Sequence, residues 1–242
     1  MRLDVYLAEK GVYASRTRAA RAVEEGCVKV NGTVIKKTSF DVSDNDNIET
    51  MADPVPFVSR GAFKLKHALE CFDVDLHGVT AIDIGASTGG FTEIMLSAGA
   101  VKVFAVDVGK NQLARTLRED ARVVCMEKTD VRELSSMGYR DCFEFCACDA
   151  SFISLVNILP SVTELLKKGA RAVFLIKPQF EVGKRFIGKG GIVKDRKAVK
   201  DALEKVSLCA QSCGFEVLAP IISSPVKGGD GNEEFLIFLG KR

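Results

Sequence analysis

Two charged residues close apolar runs of strand type: Asp149 follows F-E-F-C-A-C, and Lys177 ends A-V-F-L-I-K. A lysine ending an otherwise apolar strand is costly to desolvate unless paired, so an Asp149–Lys177 pair at a sheet edge is expected. Such a pair can do acid–base chemistry or be purely structural, and these two residues alone leave both open. Three more acids, Asp83, Asp107 and Asp130, sit at the ends of three successive apolar runs. The first opens D-I-G-A-S-T-G-G-F-T (Asp83–Thr92), between the strand-like V-T-A-I and a stretch of helical spacing, Phe91 to Ala98. A strand, a glycine turn and a helix bind nucleotide-like ligands at the carboxyl edge of a parallel sheet. Gly85, Gly89 and Gly90 would let the backbone turn and approach the ligand, with Ala86, Ser87 and Phe91 completing the cradle. Asp107, 22 residues after Gly85, could accept both ribose hydroxyls of an adenosine, and Asp130 could take the adenine amino group. The plain alternative is a glycine-rich turn in any α/β sheet.

The glycine spacing is not G-x-G-x-x-G. An aspartate two residues before the first glycine, and a Gly-Gly pair after it, resemble the S-adenosylmethionine (SAM) loop of class I methyltransferases. The residues after Asp149 narrow the acceptor. The stretch is D-A-S-F, not the D/N-P-P-Y type that holds an exocyclic base amine, and no Pro-Cys pair supplies a thiolate for carbon methylation. A hydroxyl acceptor is therefore expected. A ribose 2′-hydroxyl is a poor acid, so its attack on a methyl group benefits from a base and nearby positive charge. A desolvated lysine with a depressed pKa could remove the proton, while a second lysine and the carboxylates orient the partners.

The elements that must position these groups alternate. The pattern predicts strands at 80–84, 102–106, 123–126, 144–148, 170–176, 216–222 and 234–239, with helices at 91–98, 112–117, 153–166 and 195–213. That is an α/β doubly wound, mostly parallel sheet. Only the loop S-S-P-V-K-G-G-D-G-N separates the last two strands, too short for a helical crossover, so the final strand is expected to be antiparallel. A Rossmann-like seven-stranded sheet with one reversed strand is the class I methyltransferase core. Ahead of it, 60–72 is helical, with Leu65, Ala68, Leu69 and Phe72 as its apolar stripe. Lys64 lies beside that stripe and reads, from this helix alone, as a snorkelling lysine. Residues 51–59, with Pro54 and Pro56 and no periodicity, are the expected linker to a catalytic domain at 60–242.

Residues 1–50 form a separate α+β unit in this reading. A short amphipathic helix carries Leu3, Tyr6 and Leu7; Ser15 caps a second helix closed by Gly26. Strands at 27–31 and 34–42 join through Asn31-Gly32, a tight-turn signal. Arg16, Arg18, Arg21, Lys29, Lys36 and Lys37 face two acids over 16–37, which suits a phosphate backbone or an ordinary solvated face. The run S-R-T-R-A-A-R-A-V-E-E-G-C-V-K-V-N-G resembles the α-L RNA-binding module, in which two helices and a hairpin bind structured RNA.

Composition excludes other classes. The chain has 242 residues, 47% hydrophobic and 27% charged, with a net charge of +2. No apolar run approaches the ~20 residues of a membrane span. The N-terminus lacks a signal-peptide core, so a cytoplasmic protein is expected. Eight cysteines without a C-x-x-C pair, and only His67 and His77, argue for reduced thiols, no metal site and no imidazole catalysis.

Six ordered motifs, S-R-G-A-F-K-L (Ser59–Leu65), the Asp83–Thr92 loop, A-V-D-V-G, D-A-S-F, I-K-P-Q-F-E and G-N-E-E-F-L, together resemble the TlyA family. These are ribosomal RNA 2′-O-methyltransferases with an α-L domain and an FtsJ/RrmJ-like catalytic domain. The resemblance implies SAM as cofactor, ribosomal RNA or a ribosomal subunit as partner, a cytidine target and no obligate protein partner. It also implies a catalytic Lys-Asp-Lys-Glu tetrad at Lys64, Asp149, Lys177 and Glu234, with Glu233 the adjacent possibility. Lys177 would be the proton acceptor or its closest stabiliser. The glycine- and lysine-rich loop Phe180–Lys194 is expected to be mobile and to close over RNA phosphates through Lys184, Arg185 and Lys189. A non-catalytic assembly factor and a membrane-active haemolysin are the alternatives; a pseudouridine synthase would share the α-L module but lack the SAM loop.

Overall fold

The structure, a computed structural model, describes residues 1–13, 15–51 and 56–242. Residues 52–55 of the expected linker lie outside them. The chain divides into two compact units, Met1–Pro56 and Phe57–Arg242.

In the first unit, helices α1 (Leu3–Glu9) and α2 (Arg16–Glu24) pack on strands β1 (Val28–Val30), β2 (Thr33–Val34) and β3 (Ile48–Thr50). Ser15 Oγ accepts the Arg18 N–H at 3.2 Å, the cap read from sequence. Asn31 and Gly32 take φ of 51° and 80°, the paired positive values that a two-residue hairpin needs. The expected second strand, 34–42, stops at Val34, and β1 instead pairs with β3 on its other side. The reason is competition for backbone groups. The Thr38 and Phe40 carbonyls take the Asp4 and Leu3 N–H groups, otherwise unpaired at the start of α1. Leu3, Leu7, Ala19, Val23, Val28 and Val42 close the core.

The second unit opens with α3 (Ala62–Cys71). It continues through β4 (Thr80–Ile84), α4 (Gly90–Ser97), β5 (Lys102–Asp107), α5 (Arg115–Arg118), β6 (Val123–Glu127), β7 (Phe143–Cys148) and α6 (Leu159–Leu165). After these come β8 (Leu166–Ile176), α7 (Pro178–Glu181), α8 (Arg196–Ser212), β9 (Phe215–Val217), β10 (Ile222–Ser223) and β11 (Phe235–Lys241). The sheet runs β6-β5-β4-β7-β8-β11, with β9 and β10 sharing the outer edge of β11. β4 to β8 are parallel and β11 is antiparallel to both neighbours, as the short final loop requires. Side chains alternate between faces. Phe145, Val173 and Leu236 pack under α3 and α4, whereas Cys146, Phe174 and Ile237 pack under α6 and α8.

Three elements differ from their sequence patterns. The strand expected at 216–222 breaks into β9 and β10 around Pro220, which has no N–H to give the ladder. The helix expected at 153–166 is a 3₁₀ turn (Leu155–Asn157) followed by α6, in whose first turn Pro160 sits; Leu166 already belongs to β8. The helix expected at 112–117 shrinks to α5 because the Glu127 carboxylate takes the N–H groups of Asn111, Gln112 and Leu113.

Phe174 is fully buried and meets Phe215 edge-on at 6.3 Å. Phe174→Ala should cost about 3–5 kcal/mol in denaturant unfolding; a loss below about 1 kcal/mol would contradict this packing.

Candidate active site

The register of the central strands builds the site. Ile84 pairs with Cys148 and Cys148 with Phe174, so β4, β7 and β8 deliver Gly85, Asp149 and Lys177 to one edge. The Asp149 N–H donates to the Ile84 carbonyl at 2.9 Å. At Gly85, φ is +78° and an added Cβ would lie 2.9 Å from the Asp149 carbonyl oxygen. A Cβ on Gly90 would sit 2.9 Å from the Ala62 backbone nitrogen, and Gly89 has φ of +95°, a conformation that side chains strain. The protein's own backbone thus favours glycine at these positions, beside any ligand approach expected of them.

Asp149 bridges two ammonium groups. Its Oδ1 lies 2.6 Å from Lys177 Nζ and its Oδ2 3.7 Å from Lys64 Nζ. Lys64 also donates to Glu234 Oε2 at 2.6 Å, and Lys177 to Ser151 Oγ at 2.6 Å. Lys64 and Lys177 are each 8% exposed and Glu234 3%, while Glu233 is exposed. The snorkelling reading of Lys64 fails: its ammonium points inward, to acids contributed by β7 and the start of β11. Two buried cations against two carboxylates leave the group formally neutral, the condition for holding charges out of water.

Two cavities meet at Gly85, Ser87 and Asp149. The larger, about 440 Å³, carries Asp107, Asp130 and Asp149 and, among the described residues, no lysine or arginine. The smaller, about 260 Å³, presents Arg60, Lys64 and Lys227. Asp107 is fixed by the N–H groups of Ser87 at 2.8 Å and Gly109 at 2.6 Å, one on each oxygen. Asp130 lines the same cavity but is engaged by Arg132 at 2.6 Å, which holds its carboxyl below the usual range. Phe91 is buried in the core. Asp83 is wholly buried; its Oδ2 accepts from Thr92 Oγ1 at 2.6 Å and Thr92 N–H at 2.8 Å, while Oδ1 has no hydrogen-bond partner. Burial pushes its carboxyl up to about 7 against the lowering effect of Thr92.

Three further contributors were not singled out from the sequence, although Ser151 and Phe152 lie in the D-A-S-F stretch. Ser151 receives Lys177, and Phe152, 92% exposed with φ of +63°, stands at the rim of the larger cavity. Lys227 enters from the loop before β11.

The basic residues occupy varied settings. Arg16 donates to the buried Asp4 at 2.9 Å, as does Arg2 at 3.0 Å; the Arg2 and Arg16 bonds hold the Asp4 carboxyl down at about 2. Arg18 and Arg21 lie on α2, with Arg21 3.9 Å from Glu25. Lys29 faces Glu49 across β1 and β3, and Lys36 is exposed. Lys184, Arg185 and Lys189 are exposed, in a loop whose far end is hydrogen-bonded to Asn232. Asn232, buried, donates to the Gly191 carbonyl at 3.0 Å and accepts the Val193 N–H at 2.9 Å.

Residues 57–241 match the FtsJ-like methyltransferase family, and residues 1–48 match the S4 domain. The chain belongs to the FtsJ-like methyltransferase family. The 16S/23S rRNA (cytidine-2′-O)-methyltransferase TlyA of Mycobacterium tuberculosis is 39% identical over 239 residues, 98% of this chain and 89% of that protein. Hemolysin A of Brachyspira hyodysenteriae is 39% identical over 241 residues, 98% of each. A solved structure of a hemolysin-like protein from Streptococcus thermophilus superposes with a TM-score of 0.77 at 40% identity, covering 100% of this chain and 88% of that one.

The geometry of this FtsJ-like methyltransferase fits SAM. A phosphate-free nucleoside suits a cavity lined by three carboxylates and, among the described residues, by no lysine or arginine that would hold a pyrophosphate. The unpartnered Asp83 Oδ1 is a buried acceptor beside the same loop. Asp83 has a folded pKa above its unfolded one, so its contribution favours the fold fully below about pH 4 and is lost as pH rises through about 7. Without ligand, urea-derived stabilities of wild type and Asp83→Asn should run in parallel below about pH 4. They should diverge progressively between about pH 4 and 7 and differ by a constant amount above that, with the variant gaining as much as ~4 kcal/mol relative to wild type; parallel curves across the whole range would refute the assignment.

Proposed function

We propose that this chain transfers a methyl group from SAM to a ribose 2′-hydroxyl of ribosomal RNA, on a cytidine. The observation that carries the reading is the Lys64–Asp149–Lys177–Glu234 cluster at the seam between an acidic cavity and a basic one. Asp107 and Asp130 would hold the cofactor, which when bound supplies an electrophilic methyl carbon on a cationic sulfur, while the buried Asp83 holds the glycine loop through Thr92. Lys177 Nζ, fixed by Asp149 and Ser151, would as the neutral amine take the hydroxyl proton, or as the ammonium stabilise the oxygen while that proton leaves to solvent. Asp149 orients Lys177 and Lys64 together, Glu234 anchors Lys64, and Lys64 supplies positive charge beside the acceptor. The cations of the smaller cavity suit a polyanionic acceptor. The S4 match and the named activity of the mycobacterial relative support ribosomal RNA as that acceptor.

One relative is named a hemolysin. No helix among the described residues is long and apolar enough to cross a membrane.

Labelled methyl transfer to unmodified ribosomal subunits of each size tests the reading. Wild type should label one or both, with the label mapping to a ribose 2′-oxygen, and Lys177→Ala should lower kcat by about 10²–10⁴-fold. Transfer undiminished in that variant would remove Lys177 from the chemistry. Reversing charge with Lys184→Glu and Arg185→Glu should weaken RNA binding about tenfold or more at low salt and leave SAM affinity unchanged. Equal RNA affinity would show that this loop does not touch RNA.

A further inference from the structure

Glu181 ends the motif I-K-P-Q-F-E, and the chemistry above gives it nothing to do. Yet it is among the few buried carboxylates of the chain. Its Oε1 accepts the Leu155 N–H at 2.7 Å and its Oε2 the Ser154 hydroxyl at 2.6 Å. Ser154 Oγ in turn accepts the Val156 N–H at 3.2 Å. The carboxylate thus caps the 3₁₀ turn that begins at Leu155. Lys205 of α8 stands 3.7 Å from Oε2 and donates to the Glu181 carbonyl at 3.2 Å.

The position of that turn gives the contact its meaning. Between the end of β7 and Leu155 lie Asp149, Ser151 and Phe152. The segment after β8 runs alongside and grips this stretch at three successive points. Lys177 holds Asp149 and Ser151, the Phe180 ring packs against Phe152 at 5.3 Å, and Glu181 holds Ser154 and Leu155. Phe152 is a non-glycine residue at φ +63° with its ring in solvent. A conformation of that kind costs about 1–3 kcal/mol and persists only where its surroundings over-determine it. The Phe180 contact leaves the ring 92% exposed and so offsets little of that cost. The far end of the loop must therefore be fastened, and a buried carboxylate accepting two hydrogen bonds is a fastening of the strong, charge-assisted kind.

We propose that Glu181 is a positioning residue whose carboxylate staples Ser154 and Leu155, holding Asp149, Ser151 and Phe152 in register with Lys177. Its role in transfer rests on the methyltransferase reading of Lys177 and Asp149; the staple itself does not.

The test uses the full chain and two readouts. Without cofactor, Glu181→Ala should speed amide hydrogen exchange across 150–157 by about 10–100-fold, with β7 and β8 still protected. In methyl transfer, kcat should fall about 10–100-fold, while KM for RNA changes less than about threefold. Glu181→Gln, which can still accept the Leu155 N–H, should recover part of both. Unchanged exchange in folded Glu181→Ala, or kcat unchanged per folded molecule, overturns the proposal. If Glu181→Ala does not fold, Ser154→Ala removes half of the staple and should shift both readouts the same way by about 3–10-fold; no shift overturns it equally. Absence of transfer by wild type would instead refute the function proposed above, and exchange would still decide whether the staple exists.

Discussion

Two lysines buried against one shared carboxylate set the terms for the rest of the catalytic unit. An ammonium removed from water without a partner is several kcal/mol out of balance, so Asp149 must reach both Lys64 and Lys177, and Glu234 must complete the count. That requirement fixes four elements at once: α3, the ends of β7 and β8, and the start of β11. The parallel register of β4, β7 and β8 aligns their carboxyl ends, and the reversed β11 brings its amino end to the same edge. A parallel final strand would deliver Glu234 to the opposite edge. The antiparallel strand is thus a condition for the charge cluster as well as a topological signature.

The same cluster divides the surface cavity by charge. On one side the acids at the ends of β5 and β7, with Asp130 after β6, line a wall to which, among the described residues, no lysine or arginine contributes; on the other, Arg60, Lys64 and Lys227 gather positive charge. Asp149 belongs to both. A cationic donor and an anionic acceptor would each find the complementary field, and the narrow common wall of Gly85, Ser87 and Asp149 is where they would meet. Gly85 cannot carry a side chain there, since the Asp149 backbone already fills the space.

Most of this edge was legible in the sequence because a charged residue ending an apolar run marks both a strand end and an exposed sheet edge. Asp107, Asp149 and Lys177 were visible for that reason, whereas Asp83 lies one residue inside the end of β4 and is wholly buried. Lys64 was not: its helix shows a lysine beside an apolar stripe, and the carboxylate that explains it lies 170 residues away. Glu233 and Glu234 differ only in which face they point to, which a pattern at the very start of a strand cannot decide; burial does. The truncated helix at 112–117 and the broken strand at 216–222 share a cause. Glu127 and Pro220 change where backbone N–H groups are satisfied, and propensity over a window averages such single residues away. The strand at 48–50 was hidden because its partner lies across the sheet from the hairpin that the Asn31-Gly32 turn announces.

The loops around the site are restrained by polar side chains that local pattern cannot reveal. Asn232 substitutes for a missing strand neighbour, pairing with Gly191 and Val193 two residues before Glu234. The basic loop is therefore hydrogen-bonded into the segment that supplies the fourth member of the cluster. Glycine and lysine content alone suggests a free loop; at Gly191 and Val193, opening it would leave the donor and acceptor of the buried Asn232 amide unpaired, a cost that composition does not show. Composition describes what a loop could do if released. Its buried hydrogen bonds set what release costs, and in this fold they run to Asn232, two residues before the glutamate that anchors Lys64.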